Sequence, residues 1–308
     1  MLGEYWLWAG WITKVMLYLA TAISIGGAFS YFLLSKYYHL NKPIIRYMII
    51  GAYLGALSSV AGFLIQVGSF ANTGWLGLFD PTFLNILLGT PVGTVQILRT
   101  LSFGLIAILL MVKYARLQHY QAEHHQFKNE SKSNKLSYLL RTIIAIALLL
   151  IVYSFSQMGH VTNQSFIAQL LLSLHVIAMS LWIGSLFPLW RLSRTVEGLP
   201  LKNSMHLFGQ LAVVIVGVLV VCGLTVAYLL IKDFDTLIST PYGQGFMLKL
   251  GLVAAILLLA AFNKWYFTPC LQQPKYAKQL SYAILFEMSL GLSVLLTTGY
   301  ITTVIGIE

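Results

Sequence analysis

Residues Leu170 to Pro188 read LLLSLHVIAMSLWIGSLFP. A bilayer core about 30 Å thick asks for about 20 apolar residues at about 1.5 Å rise each. Hydrocarbon offers no partner to an open backbone, so such a run crosses it as a helix. One titratable side chain interrupts it, His175. An ionisable group in hydrocarbon is costly and marks either a site or a tightly packed polar contact. How His175 is satisfied is therefore the question around which the chain is read.

The rest of the sequence repeats the pattern. Of its 308 residues 58% are apolar and 9% charged, and the mean hydropathy is +0.80. A soluble domain carries about 25% charge. Runs at about 8–34, 44–70, 91–113, 138–158, 166–188, 207–231, 246–267 and 280–303 are each long enough to span. The fold class is thus all-α, a polytopic membrane protein of eight transmembrane helices whose principal partner is the lipid bilayer.

The net charge of +10 invites a nucleic-acid reading, but its placement excludes one. Segments 35–46, 113–141, 189–206 and 264–280 hold fifteen of the 19 Lys and Arg, whereas 71–90, 159–165 and 232–245 hold only Lys232. Cytoplasmic loops carry such an excess. The alternation puts the basic loops inside and both termini on the periplasmic side. The start, MLGEYWLWAGWITK, has an acid where a signal peptide has basic residues and no clear A-x-A site. It reads as a retained first helix with Tyr5, Trp6, Trp8 and Trp11 in an interfacial aromatic belt. Cys222 lies in span 6 and Cys270 in a short loop, too few for a disulfide framework.

Two segments align without gaps, TPVGTVQILR (90–99) and TPYGQGFMLK (240–249). Each opens an odd-numbered span with T-P-x-G and places a base six residues after the glycine. Leu136-Ser-Tyr138 and Leu280-Ser-Tyr282 echo each other at the starts of spans 4 and 8. Chance similarity between T-P-G turns is one account. The other is a 4+4 duplication in parallel halves about an axis along the membrane normal. The chain then divides into 1–135, the start of the N-terminal half with spans 1–3 and a cytoplasmic loop, and 136–308, spans 4–8. Span 1 has no counterpart of His175, so the halves have diverged.

Besides Lys14, four ionisable residues stand out within spans: Arg99, His175, Lys249 and Glu287. His175 lies nine residues from the outer end of span 5, roughly 14 Å deep. Arg99 is at similar depth. For Arg99 and Lys249 the plain account is snorkelling to the outer interface. Glu287 enters from the cytoplasmic side, where Asn263 near the inner end of span 7 can reach its level. It is either a buried acid bonded to a neighbouring helix or a proton-linked group.

Met179 and Trp182 follow His175 at i+4 and i+7 on one helix face. Imidazole plus thioether is a soft set that favours Cu(I). A methionine at helical spacing is also ordinary packing. Cys222 matches His175 in depth and is either a third soft ligand or a small buried hydrophobe. His39, His119, His124, His125 and His206 fall on the cytoplasmic side, and His160 alone on the outer side. With Met158, His160 makes an outer entry point for a soft metal that a deeper site at His175 could receive. The run from Gln118 to His125 binds metal or is simply a solvated loop.

These residues resemble the copper resistance protein D (CopD) family of bacterial inner-membrane proteins, most densely over 157–304. The matching pieces are Gly159-His160, His175 with Trp182-Ile-Gly184, Pro241-Tyr-Gly243 with Lys249, Asn263 with Pro269 and Cys270-Leu271, and Glu287. The first half matches through the Gly93 to Arg99 element and the eight-span length. The resemblance implies movement of copper from periplasm to cytoplasm, often beside a periplasmic copper-binding partner of the CopC type. It carries the family's histidines onto His160 and His175. The chain shows no CopC-like domain and no Met-rich or His-rich outer loop, so the expected copper donor is a separate protein.

The reading is a non-enzymatic copper-binding protein of the inner membrane. Its metal ligands are His160, His175, Met158, Met179 and Cys222, supported by Arg99, Lys249, Asn263 and Glu287. No nucleotide-binding motif supplies ATP. A b-type haem or quinone-linked electron carrier is the alternative, but axial haem ligation needs paired intramembrane histidines. A copper sensing or assembly factor that never transports is a third. The orientation is testable. A C-terminal alkaline phosphatase fusion should be active and a C-terminal GFP fusion dark, and the reverse pattern would invert every depth given above.

Overall fold

The computed structural model describes residues 2–123, 133–159, 164–230 and 238–306. All regular structure among them is helical: α1 (Leu2–Leu33), α2 (Tyr38–Ala71), α3 (Pro81–Leu88), α4 (Pro91–Glu123), α5 (Ser133–Ser156), α6 (Phe166–Thr195), α7 (Gly198–Leu230), α8 (Pro241–Phe262) and α9 (Pro274–Tyr300). All but α3 are long and apolar enough to cross a membrane, which gives the eight expected spans.

The helix ends follow local chemistry. Both T-P-x-G elements start helices, with Pro91 and Pro241 at the first position, where the missing N–H costs nothing. Their threonines act differently. Thr240 Oγ1 accepts from the Gly243 N–H at 3.1 Å, whereas the Thr90 hydroxyl donates back to the Leu87 carbonyl at 2.7 Å. Segment 71–90 is more than the outer loop expected. Asp80 caps α3, accepting from the N–H groups of Thr82 and Phe83 at 2.9 and 3.1 Å. Pro81 follows it, so D-P is a helix-start signal that a scan for span-length runs passes over.

The centre of the bundle is the crossing of α1 and α6. A Cβ on Gly184 would overlap the Ala22 carbonyl, and one on Gly26 would overlap the Gly184 backbone. Small residues let two helices meet this closely in a membrane. Tyr47 of α2 closes the crossing by donating its hydroxyl to the Gly184 carbonyl at 3.1 Å and stacking on Phe187 at 4.7 Å. Around this axis α1 packs on α2, α2 on α4 and α4 on α5; α6 packs on α7 and α9, and α8 on α9. The halves differ at one seam. Where α2 runs along α4, α7 meets mainly the turns after α8: a π-helical turn at Asn263–Phe267 and a 3₁₀ turn at Thr268–Cys270. Accordingly α7 and α8 present most of their apolar surface outward.

The rims are aromatic, with one departure from expectation. Trp8, Trp11 and Tyr300 cluster at the end of the bundle that holds both termini, with ring centroids 5.7 to 6.4 Å apart. Trp6 is not in the belt; it is buried against Gly68, edge-on to Trp75 at 6.0 Å. At the opposite rim Lys113 Nζ sits 3.8 Å from the Tyr31 ring centre, a cation on an aromatic face.

The crossing yields a stability prediction. Gly184→Ala should lower stability by about 2 kcal/mol or more, because the new methyl meets backbone that cannot move aside. Gly217→Ala, where nothing lies within 4 Å, should leave the detergent melting temperature unchanged. Equal melting of the two variants would remove the crossing from its central place.

Candidate functional site

The site is built from α6 inward. The imidazole of His175 crosses to α7, where Nδ1 lies 3.0 Å from the Leu219 carbonyl oxygen. A carbonyl only accepts, so Nδ1 carries the proton and Nε2 is left with the lone pair. The ring rests on Gly223; a Cβ there would come within 2.8 Å of Cε1 and 2.9 Å of Nδ1. Only glycine leaves room for the ring at this point. Tying Nδ1 to a backbone carbonyl fixes ring and tautomer, as in metal-ligating histidines. It also satisfies the plain expectation of a histidine bonded to a neighbouring helix.

The other soft-ligand candidates scatter. Cys222 is buried on α7, as a free thiol on the turn that seats His175. Met179 is partly buried and packs into the central apolar core. Met158, just past the end of α5, is engaged by the Nη1–H of Arg99 at 3.3 Å. His160 and the His124–His125 pair lie outside the described residues. Among the described residues no three His, Cys, Asp or Glu side chains gather as a metal cluster. A cavity of about 530 Å³ opens between α1, α8 and α9, lined by Trp11, Gln244, Leu248 and Tyr300 among others; Met158, His175, Met179 and Cys222 do not line it.

Arg99 does not snorkel. It is 4% exposed, and its Nε–H and Nη2–H bind Ser154 Oγ and the Ser154 carbonyl at 2.7 and 3.2 Å. Its guanidinium lies over Phe155, 4.8 Å from the ring centre. Arg99 thereby locks α4 to the C-terminal end of α5. Lys249 holds the same place in α8, eight residues after the helix-opening proline, but is half-buried and close enough to His175 for its charge to act there. Lys14 Nζ donates to the Thr302 carbonyl at 3.0 Å.

At the other end of the bundle the expected pairing is present. Asn263 Nδ2 donates to Glu287 Oε1 at 2.6 Å, with both residues buried. Asn263 opens the π-helical turn, and its carbonyl accepts from the Thr268 hydroxyl at 2.9 Å.

The comparisons supply the chemistry that geometry alone leaves open. Residues 5–164 match the family description "Copper resistance protein D-like, N-terminal domain", more than half of the chain, and residues 202–301 match "Copper resistance protein D". The chain belongs to the copper resistance protein D family. Copper transport protein CutJ of Bacillus subtilis (strain 168) is 24% identical over 300 residues, covering 94% of this chain and 51% of that protein. The chain thus spans about half the length of that relative. No solved structure matches. Family membership ties the chain to copper-related function in a membrane. Cys222, Lys249, Asn263 and Glu287 fall in the CopD segment and Met158 and His160 in the N-terminal one. His175 and Met179 lie on α6 between the two.

Residue types and spacing did not single out Leu219, Gly223 or Ser154, whose parts are played by a carbonyl, an absent side chain and a hydroxyl. The only sequence signal was Cys222-Gly223 at the depth of His175. The Asn263–Glu287 pair gives a direct test. Asn263→Leu should cost about 1–3 kcal/mol by stranding a buried carboxyl, and Asn263→Leu with Glu287→Leu should recover part of it. A double variant less stable than the sum of the single changes would show that the pair is not coupled in this way.

Proposed function

We propose that this protein moves copper across the bacterial inner membrane from periplasm to cytoplasm, with His175 as its intramembrane ligand. The observation that carries the proposal is the tied ring: with Nδ1 held by Leu219, Nε2 is a fixed neutral donor deep in a span. A neutral imidazole with a thiol or thioether co-ligand favours Cu(I). Cys222, on the helix that seats His175, and Met179, one turn along α6, are the co-ligands proposed. Met158 and His160 are the proposed outer entry point, where Arg99 already engages Met158. The protein acts without catalysis, and a periplasmic copper-binding protein of the CopC type delivers the ion.

The 4+4 duplication fits the mirrored helix pairs and the matched proline starts of α4 and α8. The haem reading loses support on its key requirement. His39 bonds Thr195 at the inner rim at 3.2 Å, and His206 bonds Gln210 at 3.2 Å. Among the described residues these leave His175 without a second mid-membrane histidine.

The measurement is copper stoichiometry at matched detergent melting temperature. His175→Ala and His175→Phe should both lose bound copper without unfolding, because the lost hydrogen bond is worth only about 0.6 kcal/mol in such a setting. Met179→Leu and Cys222→Ser then show which sulfur shares the site. Normal copper content in the Ala and Phe variants would reduce His175 to a packing histidine. Copper bound but not moved into vesicles would make the protein a sensing or assembly factor.

A further inference from the structure

The inner half of the bundle holds a carboxyl that the copper route does not use. Glu287 is 4% exposed and Asn263 7% exposed. Asn263 gives its Nδ2–H to Glu287 Oε1, and its own Oδ1 is buried without a hydrogen-bond donor. Nδ2 and Oδ1 belong to one planar amide, so the unsatisfied oxygen lies beside the carboxyl. An isolated carboxylate in hydrocarbon is strongly disfavoured without a counter-charge. The inner-half ionisable groups on the elements packed against α9 include Arg191 and Arg194 of α6 and Lys264 and Tyr266 of the π-helical turn. The hydrogen bond that Glu287 receives comes from Asn263. Lys264 runs along Gly209 of α7 instead, its stem 3.5 Å from where a Cβ there would be. The helix carrying Asn263 also departs from regular α geometry at that residue, and such π turns are frequent at functional sites.

We propose that Asn263 and Glu287 form a second ion site that takes a hard monovalent cation, a proton or a sodium ion, in exchange for the negative charge of Glu287. The donors are all oxygen, a carboxyl and an amide carbonyl. That set suits hard ions and not Cu(I), so this site and His175 sort two different ions to two depths. The occupied form is neutral and stable in the bundle; the empty form carries a buried charge and is not. The site does not depend on the copper reading, and its test contains no copper.

Dicyclohexylcarbodiimide is the probe. This apolar reagent adds the O–H of a protonated carboxyl across its C=N bond, so it marks buried acids that carry a proton. The full-length chain in detergent is treated over pH 5 to 9 in choline chloride, and again at fixed pH with sodium replacing choline. The Glu287 peptide is then quantified by mass spectrometry. Labelling of Glu287 should fall at least several-fold with rising pH or with added sodium. The pH arm alone identifies a proton site; additional protection by sodium identifies a sodium site. Asn263→Leu should shift either curve, and Glu287→Gln should show no adduct at this position. A Glu287 that never labels, or that labels equally under all conditions, overturns the proposal.

Discussion

The arrangement depends on how closely α1 and α6 approach each other. Lipid tails are as apolar as leucine, so the hydrophobic effect does not press helices together inside a bilayer; packing and interhelical bonds do. At Gly26 and Gly184 the two backbones touch, and Tyr47 adds a bond to the Gly184 carbonyl. Fixing α6 there fixes the rest of it. The same helix carries α7 on one side, α9 on another, and the outer end of α5. The direction in which His175 points is therefore set nine residues away, at a glycine with no chemistry of its own. Phe103, Ile106, Leu110, Leu186, Leu189 and Leu192 are fully buried in the apolar core.

The charged groups in the spans are met by three different solutions. Arg99 distributes its donors over Ser154 and Met158 and rests on Phe155, so its cost is spread across α5. Glu287 has one amide. His175 has one carbonyl and a glycine that yields it space. Among the described residues no acid pairs with Arg99.

Much of this was legible in the sequence because hydrocarbon imposes simple rules. Span number followed from length and hydropathy, and the contact of Asn263 with Glu287 followed from depth counted along two helices. What sequence could not supply were contacts made by backbone. The Leu219 carbonyl exists at every position of every helix, so nothing in residue type marks it as the partner of His175. The seat at Gly223 is defined by a missing side chain. Arg99 was open to a snorkelling account because its depth permits it, and only the position of Ser154 on α5 decides against that. Trp6 read as a belt residue by composition, yet the gap at Gly68 admits its ring and draws it inside.

His175 satisfies two descriptions at once, and the choice between them turns on what a plain packing histidine requires. A histidine needed only for a hydrogen bond would be served by any donor of similar reach. One bond of this kind in a membrane contributes well under 1 kcal/mol on average. Against that small gain the fold keeps a glycine at 223 in the middle of α7, where any Cβ would meet the imidazole, and accommodates an aromatic heterocycle with a second nitrogen. Holding Nδ1 and leaving Nε2 is wasteful for stability alone. It is the arrangement a ligand requires, because a ring fixed at one nitrogen presents the other at a constant angle. The family to which the chain belongs supplies a soft ion that such a nitrogen can bind. The geometry on α7 places the Cys222 thiol on the same turn. The proposal of a copper ligand rests on this nitrogen.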